Sequence, residues 1–320
     1  METIVNKLTG TGQANLEVFS ETLQRLAEKD RDIIVVTSDS RGSGKLVPYA
    51  ARFPQQIIEI GIAEQNLVGV AAGIASAGKK VFAVSPACFL TARSFEQIKN
   101  DVAYSDNPVS LIGISAGVSY GALGSTHHSL HDYAALRAVN NMIIVAPADN
   151  YESEQAIVKA AALKQPVYIR FGKKNMPHLA GGKKDFQFGK GRIIKQGAAL
   201  TIIGTGETVY PALQAAQKLQ SEHGIDAAVV SMHTIKPLDY ELIADLARKG
   251  KPIITVEEHS IFGGLGEACA SFLMENNYRN PFKIMGIPDE YTITGSQNEI
   301  FNHYGISEQG ILAAAMKLLN

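Results

Sequence analysis

EIGIAEQNLVGVAAGIASAG, Glu59 to Gly78, joins the end of an apolar run to a helical pattern through a single glycine. Gly61 breaks the chain, and Glu64 falls in the first helical turn, where the helix dipole favours an acid. Beyond it Leu67, Val68, Val70, Ala71, Ala72, Gly73, Ile74 and Ala75 make the helix apolar almost all round, the pattern of a buried helix. Gly69 and Gly73 should let another backbone pack close. A carboxyl group at the head of such a helix, facing a dry cleft, keeps its proton more readily and could hydrogen-bond a ring nitrogen. The plainer alternative is a first-turn carboxylate with no task beyond the dipole.

Working outward, similar units recur. Short β-branched runs at Ile33–Thr37, Ile57–Ile60, Val81–Ser85, Val109–Ser115, Met142–Ala146 and Pro166–Arg170 alternate with helical patterns such as 15–29. Continuous apolar strands separated by helices predict a parallel sheet covered on both faces. From Gly172 to Gly197 the chain turns Lys- and Gly-rich and loses its periodicity, as an interdomain connection does. A second set follows: ALTIIGT, a helix over Thr208–Glu222, DAAVVSM, a helix from Asp239, PIITVEE, a Gly-rich turn and helix, FKIMGI and a helix over Ile306–Leu319. The expectation is two α/β domains, residues 1–185 and 186–320.

The totals agree with a globular enzyme. The chain has 320 residues, 46% of them hydrophobic, and a net charge of -1. There is no basic excess for nucleic acid and no run for anionic lipid. Cys88 and Cys269 form no metal or redox motif, and no stretch reads as a signal peptide or membrane span. A cytoplasmic setting is the default expectation.

Ligands of such folds sit beyond the carboxyl ends of the strands. The segments there are DSRGSGK (39–45), GIAEQN (61–66), SPACFLTAR (85–93), the long loop SAGVSYGALGSTHHSLHD (115–132) and FGKKN (171–175). Within them GISAG, 113–117, matches the G-x-S-x-G nucleophile elbow, but VSYGALGS follows instead of the helix the elbow requires. His127, His128 and His131 form H-H-x-x-H without a complete zinc ligand set, and could instead donate hydrogen bonds to a polar substrate. IIGTGETV, 202–209, lacks the third glycine of a dinucleotide fingerprint. EEHSIFGGLGEA, 257–268, could offer N–H groups to an anion, be a packing turn, or contact the first domain. No G-x-x-x-x-G-K-[ST] loop and no GDG followed by a spaced Asn occurs, so nothing holds a diphosphate–magnesium unit in the usual way.

GIAEQNLVGVAAGIASAG, SPACFLTARSFEQIKNDVAY, GALGSTHH, APAD, PVYIR, HTIKPLD and EEHSIFGGLGEA together resemble, in order and over nearly the whole chain, the C-terminal half of transketolases. The nearest kind is the separate C-terminal subunit of a split transketolase. Deoxyxylulose-phosphate synthases and β subunits of 2-oxo acid dehydrogenases share the architecture at greater distance. The resemblance implies a pyrimidine-binding domain, then a transketolase C-terminal domain. It implies thiamine diphosphate as cofactor and the transfer of a two-carbon ketol unit from a ketose to an aldose. In that family the glutamate matching Glu64 hydrogen-bonds N1′ of the aminopyrimidine. Phe89, with Leu90 in adjacent register, matches the aromatic that packs on that ring, and Arg93 follows it. His127 matches the histidine beside cofactor and donor, Arg170 an arginine on the substrate phosphate, Asp39 an acid near the thiazolium, and Ser43 a phosphate contact. The chain departs from the family at Leu123, Ser115 and Leu16, where an aspartate, a histidine and an arginine are usual. The departures point either to drift or to a non-standard sugar. The family's N-terminal half carries GDG…N, magnesium and the diphosphate contacts. The resemblance therefore implies a partner subunit, an α2β2 assembly, a cofactor shared at the interface, and no metal held by this chain. A serine hydrolase using GISAG, and a non-catalytic module that kept only the scaffold, are the readings from other classes.

Overall fold

A computed structural model describes residues 11–179 and 186–319, so the boundary expected at residue 185 lies outside the described residues. The first sheet has seven strands in the order β12-β6-β7-β5-β4-β2-β3. Here β2 is Ile33–Thr37, β3 Ile57–Glu59, β4 Lys80–Pro86, β5 Val109–Ile114, β6 Ile143–Val145, β7 Val167–Phe171 and β12 Thr234–Lys236. The runs read as strands all form, within a residue or two of their expected ends. β2 to β7 are parallel. Val35, Phe82, Ile112 and Ile169 in its centre are fully buried, which is why these strands read as unbroken apolar runs.

Helices cover both faces. α1, Asn15–Ala27, packs with the helix Asn150–Ala160 on one side. On the other lie α3, Glu64–Ser76, and a helical stretch, Phe95–Gln97, that runs into a π-helical segment, Ile98–Tyr104. α3 buries Leu67, Val68, Ala71, Ala72 and Ala75 against the sheet. Its opposite face is less enclosed than the sequence suggests. Val70 and Ile74 are half-buried, and no backbone lies against Gly69 or Gly73 within this chain.

The second sheet orders five strands β14-β13-β10-β11-β9, namely Phe282–Ile287, Ile253–Ser260, Leu200–Gly204, Ala227–Ser231 and Arg192–Lys195. All pair in parallel except β9, the antiparallel edge. The span 172–197 is less plain than its composition suggests. It holds β9 and also β8, Asn175–Pro177, which pairs with β1, Thr11–Ala14. The two halves are also laced together. β12 leaves the second half to pair antiparallel with β6 at the edge of the first sheet.

Candidate active-site rim

In the first sheet the strand order reverses between β2 and β4, and the crevice beyond their carboxyl ends is where such sheets bind ligands. Ser38 ties these ends together, its Oγ 2.7 Å from Ser40 Oγ and 3.0 Å from Ser85 Oγ. Asp39 is exposed on the rim. Ser43 is exposed too, with its hydroxyl proton donated to the Ser40 carbonyl at 3.2 Å.

Glu64 opens α3 with its side chain buried. Both carboxylate oxygens accept from Arg93 Nη1 at 3.0 Å. The expected dry, apolar surroundings therefore contain a guanidinium. α4, Ala87–Arg93, explains how: residues four apart share one helical face, so Phe89 and Arg93 both look onto the crevice. The Arg93 guanidinium lies over the Phe89 ring, 4.1 Å from its centroid. Leu90 points the other way and is fully buried in the core. Its assignment as a ring-stacking alternative to Phe89 is corrected on that ground.

The long loop after β5 closes the crevice from above. The His127 ring meets Phe89 edge-on, centroids 5.4 Å apart, and Tyr120 likewise at 5.5 Å. Thr126 Oγ1 lies 3.0 Å from His127 Nδ1. Lys173, just past β7, sets its ammonium 3.9 Å from the Tyr120 ring centroid. Ser115 is buried with a left-handed backbone, φ 54°, and its Oγ has no hydrogen-bond partner among the described residues. Burial raises the pKa of the adjacent Tyr120 phenol, and the Ser115 hydroxyl beside it moderates this without an aligned hydrogen bond. Leu123 is exposed on the loop, in the short 3₁₀ turn Gly121–Leu123. Glu64, Arg93, Phe89, His127, Tyr120 and Lys173 thus form one chain of contacts, with Asp39 near Tyr120.

Arg170 is not part of it. Its Nη1 donates to both Asp132 oxygens at 2.9 and 3.1 Å, and its Nη2 to the Glu258 carbonyl at 2.9 Å. The guanidinium also stacks on Tyr133, 4.4 Å from the ring centroid. Only 5% of Arg170 is exposed. A substrate-phosphate role does not match this placement, which makes Arg170 a buried tie between the halves. Leu16, where the family has an arginine, is likewise core rather than rim.

Buried acids crowd this seam. Glu258 accepts from the Val118 N–H at 2.9 Å and from Gln297 Nε2 at 2.7 Å, and Gln297 also donates to Glu207 at 2.8 Å. Burial, then repulsion from Glu207, pushes the Glu258 carboxyl up to about 8. A second tie joins Arg192 to Asp149 at 2.7 Å and to Glu152 at 3.3 Å.

The competing motifs resolve locally. Ser115 has no base at hydrogen-bond distance, and the helix that follows it begins only at Asp132, so GISAG is no elbow. His128 is held by Thr292 at 2.7 Å and the Gly121 carbonyl at 3.0 Å, and no group of acids, histidines or cysteines able to hold a metal occurs among the described residues. The Gly206 N–H donates to the Ala146 carbonyl, so IIGTGETV is a packing turn. At EEHSIFGGLGEA, Glu257 itself accepts the N–H groups of Leu265 and Gly266 at 2.7 and 2.8 Å. Arg137 donates to the Gly264 carbonyl at 2.9 Å, so this segment contacts the first half, one of its three readings.

Tyr120 and Lys173 are rim residues that the sequence did not single out. Both lie in segments placed there by strand ends, and only their proximity across two loops reveals them.

The profile of the pyrimidine-binding domain of transketolase matches residues 12–178, and that of the transketolase C-terminal domain matches residues 189–311. One of the two subunits of an apulose-4-phosphate transketolase from Phocaeicola vulgatus is 48% identical over 303 residues, 94% of this chain and 96% of that protein. A 1-deoxy-D-xylulose-5-phosphate synthase from Halothermothrix orenii is 36% identical over 307 residues, 95% of this chain but 48% of that protein. A solved structure described as a split-gene transketolase, an inactive β4 tetramer, superposes with a TM-score of 0.85 at 35% identity, covering 96% of this chain and 98% of that one. The chain belongs to the transketolase family and carries the pyrimidine-binding and C-terminal domains of a split enzyme.

Proposed function

We propose that this chain is the C-terminal subunit of a thiamine-diphosphate-dependent transketolase, a transferase that moves a two-carbon ketol unit from a ketose to an aldose. The observation that carries the reading is the convergence of Glu64, Phe89 and His127 on one crevice at the switch point of the sheet. A buried carboxylate for a ring nitrogen, an aromatic face beside it and an imidazole across from both fit the aminopyrimidine end of the cofactor. When bound, thiamine diphosphate supplies the carbon nucleophile and electron sink for cleaving a bond next to a carbonyl. Glu64 would hold the pyrimidine nitrogen and govern its proton, with Arg93 positioning the carboxylate. His127 would hydrogen-bond the sugar oxygens.

The other end of the cofactor has no counterpart in this sequence. A separate N-terminal subunit carrying GDG…N would hold the diphosphate and Mg2+, in an α2β2 assembly. Three points support this: the P. vulgatus relative is named as a subunit, this chain spans nearly all of it, and the split-gene neighbour is described as inactive in a β4 tetramer. The half-open outer face of α3 would be covered in that assembly. Profile limits at 178 and 189 support a domain boundary near 185. The name of the relative favours a phosphorylated sugar. No helix among the described residues is long and apolar enough to cross a membrane, and two free buried cysteines suit a reducing cytoplasm.

The test is reconstitution with the N-terminal subunit, thiamine diphosphate and Mg2+. Ketol transfer supports the reading. Decarboxylation of pyruvate without ketol transfer would move the pair to the synthase side of the family.

A further inference from the structure

A sugar carrying an anionic group needs a cation that this structure does not supply through Arg170. That guanidinium is buried and committed to Asp132, to the Glu258 carbonyl and to the Tyr133 face. Arg93 is engaged by Glu64. Arg41 pairs with Glu59 and Lys45 with Glu17. Lys174 turns toward the second half, donating to Asn298 and lying over Phe301.

We propose that Lys173 is the specificity residue for the anionic head group, phosphate or sulfonate, of the sugar substrate. It rests on the ketol-transfer reading and names the residue that selects the charge. Lys173 leaves the end of β7 and places its ammonium over Tyr120, whose ring meets His127, whose ring meets Phe89. It is thus two aromatic contacts from the ring-binding face and stands at the outer end of the crevice. A sugar running outward from that face would bring its distal end to this lysine. No carboxylate lies within ion-pair distance of it among the described residues, so its charge is not already spent. Its surroundings lower its pKa through burial, with no acid to offset them. The cation–π contact orients the ammonium at modest energy and leaves its other protons for an anion. The position also fits the departures in the loop: with Ser115 and Leu123 where charged or imidazole groups are usual, a lysine from a different strand takes over the charged contact.

The test compares wild type with Lys173→Met, which keeps the stem and removes the charge, and with Lys173→Arg. Binding of ribose 5-phosphate to the two-subunit complex is followed by 31P NMR, with ribose as the uncharged control and thiamine diphosphate titrated separately. K173M should weaken ribose 5-phosphate binding about tenfold or more and leave thiamine diphosphate affinity unchanged. K173R should restore much of it. Inorganic sulfate should compete in wild type but not in K173M. Ribose 5-phosphate binding unchanged in K173M overturns the assignment, as does a loss confined to thiamine diphosphate. Because this is a binding readout, it stands apart from the activity. Loss of sugar-phosphate binding in K173M alongside no ketol transfer by wild type would sink the reaction and keep the lysine. Where transfer occurs, the KM for a phosphorylated aldose should rise with little change in kcat.

Discussion

Glu64 can act on a ligand ring only while its carboxylate stays where α3 and Arg93 hold it. In the reconstituted pair, Arg93→Ala should lower turnover by about tenfold or more, because a carboxylate freed from its partner loses its orientation. A pH–rate profile checks this: a purely structural role leaves the profile unshifted, whereas a positioning role moves the limb that reports Glu64. Arg170→Ala should act differently. It strands Asp132 and Glu258 in the interior, and removing one partner of a buried pair costs about 3–5 kcal/mol. Denaturant unfolding should show that loss, and near-wild-type stability would contradict the buried-tie assignment. Glu64 was legible in the sequence because an acid heading an apolar helix is conspicuous. Its partner was not. Arg93 lies 29 positions away, and only the register of α4 turns it and Phe89 to the crevice while sending Leu90 into the core.

α3 has two faces with different fates. Leu67 is fully buried, so Leu67→Ala should cost about 2–5 kcal/mol in unfolding experiments. Gly73 meets nothing within 4 Å in this chain. Gly73→Trp should therefore leave the fold of the chain intact yet weaken its association with other subunits, read by sedimentation. Unchanged assembly would remove α3 from the interface. The strands of both sheets were readable because burial on both faces leaves unbroken β-branched runs. The short elements were not: β1, β8 and β12 span four, three and three residues, too few for a period to show. β12 in particular is set by tertiary pairing with β6, which no local pattern encodes.

At the scale of the whole molecule, the halves are joined by β12 and by buried charge. Asp132, Glu258 and Glu207 gather around Arg170, so one guanidinium faces more acid than it can neutralise, and Glu258 keeps its proton up to about 8. The sign follows from linkage. A carboxyl group with a raised folded pKa binds more protons folded than unfolded. Its contribution is full below about pH 4.5 and is lost as pH rises through about 8. Glu258→Gln should flatten that fall in Tm between pH 5 and 9, and an unchanged slope would place the titration elsewhere. The division into two α/β units was legible from the change in character after Gly172, but the depth of the seam was not, since its acids come from separated segments. The account as a whole claims that this chain is half of an enzyme whose chemistry turns on Glu64. The direct measurement is ketol transfer with thiamine diphosphate and Mg2+ by the chain alone, by the pair, and by the pair carrying Glu64→Gln. The account predicts transfer only by the pair, reduced by orders of magnitude in the variant while cofactor-free folding is unchanged. Transfer by the isolated chain, or near-normal turnover in the variant, would contradict it.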